Sequence, residues 1–223
     1  MQPTALSIDV NETVRVSALL QAPADARACY VLAHGAGAGM RHPFMTAVAD
    51  GLAQRGIATL RYQFPYMERG SKRPDAPPLA HATVRAAVAE AASQLPQLLL
   101  IAGGKSFGGR MTSQAQASVP LPHVRGLAFF GFPLHPPKQP SATRAEHLHQ
   151  VDVPMLFLQG TRDELADLSL LRPIVEELGA RATLCTFVDA DHSFHVPARS
   201  GRKDVEVLSE LLDAFNTWCD GLS

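Results

Sequence analysis

The stretch Leu98-Leu99-Leu100-Ile101-Ala102-Gly103-Gly104-Lys105-Ser106-Phe107-Gly108-Gly109-Arg110 constrains this chain more than any other. An apolar run of strand length stops at two glycines, presents one serine, and leaves through two more glycines into a helix-compatible segment over 109–117. Residues without a Cβ on both sides of a single side chain permit a sharp strand-to-helix turn. The backbone at its apex is strained, and strand and helix close tightly against each other. Gly104-x-Ser106-x-Gly108 has the spacing of the turn that lifts a serine hydroxyl above a sheet.

The rest of the chain alternates in the same sense. Two strand-like segments, 5–10 and 14–19, flank the hairpin-turn sequence Asn11-Glu12-Thr13. Strands are then predicted at 29–33, 57–62, 98–102, 124–130, 155–159 and 183–188. Helices are predicted between and after them at 44–55, 79–95, 109–117, 168–178 and 204–219. This order predicts an α/β fold: a mostly parallel sheet of about eight strands, helices on both faces, right-handed crossovers and no separate cap domain. With 223 residues, 46% of them hydrophobic, a single domain over 1–223 is expected. Ligands in such sheets bind at the carboxyl ends of the strands, where the serine turn, a glycine-rich loop and later acidic and histidine loops all fall. Two Pro-rich segments, 64–78 and 132–154, also leave strand ends and should border the active-site mouth, as a partial lid or as rigid surface loops.

Several function classes are disfavoured. A formal net charge of −1 gives no drive toward nucleic acid or acidic membranes. No apolar run reaches the roughly 18 residues of a membrane span, and Met1-Gln2-Pro3-Thr4 lacks the basic start and apolar core of a signal peptide. Cys29, Cys185 and Cys219 have no metal or redox spacing, so buried thiols in a reducing compartment, the cytoplasm, are expected. A phosphate-binding reading of Gly104-Lys105-Ser106 needs glycine at 99, where Leu99 stands inside the apolar run. A dinucleotide reading of His34-Gly35-Ala36-Gly37-Ala38-Gly39 needs glycine at 40, where Met40 stands. Glu146-His147-x-His149 lacks zinc-site spacing and reads as an exposed short helix. No metal or cofactor is expected.

A serine hydroxyl is a weak nucleophile near neutral pH and needs a base within hydrogen-bond reach, oriented by a third group. On this architecture the acid and then the histidine should follow the serine along the chain. Asp163, in Gly160-Thr161-Arg162-Asp163, follows the strand at 155–159, and His192, in Asp189-Ala190-Asp191-His192, follows the strand at 183–188. His192 is preferred to His195 because it comes first after its strand and follows an acidic turn. Asp163 is preferred to Asp152, which precedes its strand, and to Glu164 and Asp167, which lie farther into the loop. The Phe107 backbone N–H, next after the serine, is the expected donor to a tetrahedral oxyanion.

These residues resemble the α/β-hydrolase superfamily over nearly the whole chain. The Gly-Lys-Ser-x-Gly-Gly-Arg turn at 104–110, the Gly-Thr-Arg-Asp loop at 160–163 and Gly131-Phe132-Pro133-Leu134-His135-Pro136-Pro137 are similar to a compact group near the dienelactone hydrolases. The resemblance implies Ser106 as nucleophile, His192 as general base and then acid, and Asp163 as the orienting carboxylate. It also implies Ala36 as a second oxyanion donor. Dienelactone hydrolases carry cysteine where this chain has Ser106, so their substrate does not transfer. Their proline and glycine after the acid are replaced by Glu164-Leu165-Ala166, which bears on loop shape.

His34 reads as a buried hydrogen-bonding strut for the glycine loop. Arg61 and Lys105, with Arg110 and Arg162, read either as a positive rim binding an anionic ester or as structural partners. The expected function is a cofactor-independent serine hydrolase of a small ester or thioester. The alternatives are a catalytically silent interaction module and, more remotely, a P-loop-type nucleotide binder.

Overall fold

The computed structural model describes residues 1–222. Its strands are β1 (Thr4–Asp9), β2 (Arg15–Gln21), β3 (Ala28–Ala33), β4 (Ile57–Tyr62), β5 (Leu99–Lys105), β6 (Val124–Phe130), β7 (Met155–Gly160) and β8 (Ala182–Phe187). They form one sheet in the order β1-β2-β4-β3-β5-β6-β7-β8. β2 is antiparallel to both neighbours, and every other pairing is parallel. The helices are α1 (Pro43–Ala53), α2 (Pro65–Glu68), α3 (Pro77–Gln94), α4 (Phe107–Ser118), α5 (Leu168–Leu178) and α6 (Asp204–Asp220).

The period of two along each central strand divides the core. Cys29, Val31 and Ala33 join Phe129 and Phe157 under α3, α4 and α5. Tyr30 and Leu32 join Phe130, Leu156 and Leu158 under α1 and α6. Strands buried on both faces read as continuous apolar runs, which is why the parallel strands were legible. Helices α1 and α3 begin slightly earlier than predicted, at Pro43 and Pro77. Proline suits a first helical position, where its fixed φ matches the helix and its missing N–H costs nothing.

The serine turn is tighter than its sequence suggested. β5 continues through Gly103 and Gly104 to Lys105, and α4 begins at Phe107, which leaves Ser106 alone at the apex. Gly103 and Gly104 have φ of 151° and 154°, a region that side chains rarely adopt. A Cβ at 104 would lie 2.2 Å from the Ala33 carbonyl oxygen of β3, and one at 108 would lie 2.6 Å from that of His34. Absent Cβ atoms therefore set how closely β3, β5 and α4 approach.

Substitution separates this packing from simple backbone freedom. Gly104→Ala combines an unfavourable φ with a backbone clash and should cost several kcal/mol, about 2–4, in urea or thermal unfolding. Gly37→Ala, at φ 71° with nothing within 4 Å of the added methyl, should cost about 1 kcal/mol.

Candidate active site

Ser106 stands at φ 50° and ψ −116°, a strained conformation that points its side chain off the end of the sheet. Its backbone N–H donates to the Phe130 carbonyl oxygen at 3.2 Å, which ties the apex to β6. Ser106 Oγ lies 2.8 Å from His192 Nε2, and His192 Nδ1 lies 2.7 Å from Asp163 Oδ2. The three side chains come from the ends of β5, β7 and β8.

The carboxylate is fully enclosed, with its side chain 0% exposed. Asp163 Oδ1 accepts the Leu165 backbone N–H at 2.8 Å, and Oδ2 accepts from Gln159 Nε2 as well as from His192. Gln159 Oε1 in turn accepts the Phe132 N–H at 3.0 Å, so one buried amide holds both the acid and the segment leaving β6. His135 braces the far side of the acid loop: its backbone N–H donates to the Leu165 carbonyl, and its Nε2 accepts the Asp167 N–H at 3.1 Å. Gln159 and His135 were not singled out in the sequence. Their signal was slight, a lone polar residue at the end of an apolar strand and a histidine inside a Pro-rich phrase.

A buried carboxylate that only accepts hydrogen bonds fixes the imidazole tautomer. Nδ1 carries the proton toward Asp163, and the Nε2 lone pair faces the Ser106 hydroxyl. Burial lowers the His192 pKa below its usual value; the bond to Asp163 opposes this, Lys105 lowers it further, and the charges of Asp163 and Asp191 raise it. The imidazole is therefore held neutral at neutral pH, as a proton acceptor must be.

The loop after β3 is braced from behind. His34 is fully buried; its Nδ1–H donates to the Gly35 carbonyl at 2.8 Å, and its Nε2 accepts the Phe64 N–H at 3.1 Å. Only the neutral ring can do both, and burial drives its pKa down to about 4. The Tyr66 hydroxyl accepts the Gly37 N–H at 3.0 Å, and Gln63 Oε1 accepts the Met40 N–H at 2.8 Å. The Ala36 and Phe107 backbone N–H groups have no acceptor among the described residues.

A cavity of about 350 Å³ opens beside Ser106 and His192. Ala36, Ala38, Phe44, Met45 and Leu165 give it apolar walls, and Lys105 reaches it from the end of β5. Its lining includes no residue of the Pro-rich segments 64–78 and 132–154. These stand one layer back: the first contains α2 and supports the glycine loop through Tyr66, and the second contains a 3-10 helix, Thr143–Gln150, packed on α4.

Two arginine and histidine expectations need correction. Arg61 is not at a substrate rim. Strand periodicity turns it toward α1, where it is 2% exposed and donates to Thr46 Oγ1 at 3.1 Å and Gln21 Oε1 at 3.3 Å. His147 is not exposed on its short helix, because its Nε2 packs against Ser113 Oγ at 2.8 Å, and burial and nearby cations lower its pKa to about 4. His195 faces Asp204 on the surface, 2.8 Å away, and takes no part in the site. Cys185 is only partly buried, unlike Cys29 and Cys219. Among the described residues there is no cluster of metal-ligating side chains and no helix long and apolar enough to cross a membrane.

The brace histidine has a measurable consequence. In the unfolded chain His34 binds a proton near pH 6.5, whereas in the fold it does so near 4. The stability of the neutral form is complete above pH 6.5 and is lost as pH falls toward 4, on the order of 3 kcal/mol. Urea titrations across this window should show that slope, and His34→Gln should flatten it markedly while leaving the part due to His147.

The family described as "Alpha/beta hydrolase domain" matches residues 26–220. Among solved structures, an α/β serine hydrolase without a lid from Xanthomonas campestris is 21% identical, covering 98% of this chain and 95% of its own, with a TM-score of 0.75. A dienelactone hydrolase from Anabaena variabilis is 23% identical over 97% and 96% of the two chains, TM-score 0.76. The esterase domain of a Rhodothermus marinus protein is 16% identical over 98% of each, TM-score 0.73. At these identities the likeness is one of fold. The match over residues 26–220 says more: the chain belongs to the alpha/beta hydrolase domain family.

Proposed function

We propose that this chain is a cofactor-independent serine hydrolase that cleaves a small ester or thioester through an acyl-enzyme. The observation that carries the reading is the continuous hydrogen-bonded line Ser106 Oγ, His192, Asp163, with Ser106 and His192 lining one cavity. Family membership and the esterase and dienelactone hydrolase neighbours support an esterase-like activity.

In the proposed reaction, the Ser106 Oγ–H passes its proton to His192 Nε2 as Oγ bonds to the substrate carbonyl carbon. The carbonyl oxygen becomes an oxyanion and accepts from the Ala36 and Phe107 N–H groups. Asp163 stabilises the imidazolium electrostatically and keeps its own charge. Collapse breaks the bond to the leaving oxygen or sulfur, which takes the proton from Nε2. Water then repeats the sequence on the acyl-enzyme, releasing the acid and restoring Ser106.

The apolar, roughly drug-fragment-sized cavity supports a small acyl group. The proposed partner is a small molecule rather than nucleic acid or membrane, and the three free cysteines agree with the cytoplasm as the compartment.

Fluorophosphonate labelling tests the nucleophile. Wild type should label at Ser106 and Ser106→Ala should not; an unreactive Ser106 in folded protein would favour the silent-module alternative. Asp163→Asn should lower kcat by roughly 10³–10⁴-fold, because it permits the wrong imidazole tautomer. The acid limb of kcat/KM should lie below pH 6.5, since burial holds His192 neutral to lower pH. In a panel of esters of graded acyl length, Phe44→Ala should shift the kcat/KM optimum toward longer chains.

A further inference from the structure

Lys105 is the last residue of β5 and immediately precedes Ser106. Its Nζ donates to the His192 backbone carbonyl at 2.5 Å, and among the described residues it has no carboxylate within ion-pair distance. The ammonium instead lies 5.3 Å from the ring centroid of Phe194 and 6.0 Å from that of Phe44. Such faces stabilise a desolvated cation. Behind it stands Gly131, at φ 70°. A Cβ there would sit 3.0 Å from Lys105 Nζ and 3.4 Å from His192 Nδ1 and Cε1. The ammonium and the imidazole thus share one space that a side chain at 131 would occupy.

The loop carrying His192 is otherwise held by its own turn, by the acid loop and by Asp204 at the start of α6, which accepts the Val196 N–H at 2.9 Å and faces His195. Asp191 Oδ1 accepts the Ser193 and His195 N–H groups, and the Arg162 N–H donates to the Ala190 carbonyl. Lys105 is its backbone tie to the strand that bears the serine.

We propose that Lys105 is a positioning residue for the candidate base: its ammonium pins the histidine loop through the His192 carbonyl and sets the charge environment of the imidazole. The inference rests on the Ser106–His192–Asp163 reading above. The charged groups around His192 are Asp163 from the acid loop, Asp191 from its own loop and Lys105 from β5. Lys105 is the cation among them, and it opposes protonation of the ring. Burial lowers its own pKa to about 8, with Asp163 and Asp191 opposing, so it stays largely charged at neutral pH.

Two variants separate pinning from charge. Lys105→Met removes both; Lys105→Gln keeps an N–H donor and removes the charge. The acid-limb midpoint of kcat/KM for a neutral ester should rise by about half a pH unit in both. Plateau kcat should fall roughly tenfold in Lys105→Met and recover largely in Lys105→Gln, with KM nearly unchanged. An acid limb that moves in neither variant overturns the proposal. So does a selective rise in KM for a carboxylate-bearing ester with kcat and pH profile intact, which would make Lys105 a substrate contact instead. NMR titration of the His192 ring reads the same upward shift without turnover, and an unmoved ring in Lys105→Gln sinks the charge role even if Lys105→Met does not fold. A wild type that neither labels at Ser106 nor turns over ester fails the hydrolase reading, while the titration still decides this one.

Discussion

The absent Cβ atoms at Gly104 and Gly108 govern everything at the carboxyl edge of this sheet. With them gone, β5 and α4 press against the Ala33 and His34 backbone, closer than any side chain would allow. That approach sets Ser106 beside the glycine loop, where a Cβ at Gly35 would lie 3.8 Å from that of Ser106. The turn stores strain in the Ser106 backbone, and strained residues persist only where the surroundings over-determine them. Here the surroundings are two flanking strands, a helix beginning at once, and a bond from the apex to Phe130.

Around that turn, polar groups are locked by partners that accept or donate in one direction only. His34 reaches forward to Gly35 and back to Phe64. Gln159 spans Phe132 and Asp163, and Asp163 reaches both Leu165 and His192. Each satisfies a buried donor or acceptor that would otherwise carry a desolvation penalty of about 1–3 kcal/mol. The serine itself is set by packing, whereas the acid and histidine are set by hydrogen bonds from neighbouring loops. The two kinds of constraint meet at the 2.8 Å contact between Ser106 and His192.

Much of this was legible in the chain. Runs such as Leu127-Ala128-Phe129-Phe130 have no polar face and so announce strands covered on both sides. Ser106, Asp163 and His192 each follow such a run, and the structure brings them together. Of the two readings open for Arg61, the strand-end position favoured a rim, but the period of two sends its side chain under α1 as a structural partner. The roles of Gln159 and His135 were hidden for a different reason. A single buried amide or imidazole acquires meaning only from partners distant in sequence, and no spacing rule encodes them. The Pro-rich segments are irregular only in part, because the first contains α2 and the second a 3-10 helix, and composition does not say which layer a loop occupies.

Gly131 links two positions that lie far apart in sequence. The space it leaves is filled from one side by the Lys105 ammonium and from the other by the His192 ring. Glycine at 131 is therefore required twice over, by its own left-handed backbone and by the ammonium and imidazole that crowd it. Residue 131 adopts φ 70°, so a side chain there is strained whatever stands at 105, and the lysine adds a second obstacle 3.0 Å from the new methyl. The missing side chain at 131 lets lysine and histidine approach the end of β6 together, and so ties the backbone of one turn to the spacing of two side chains.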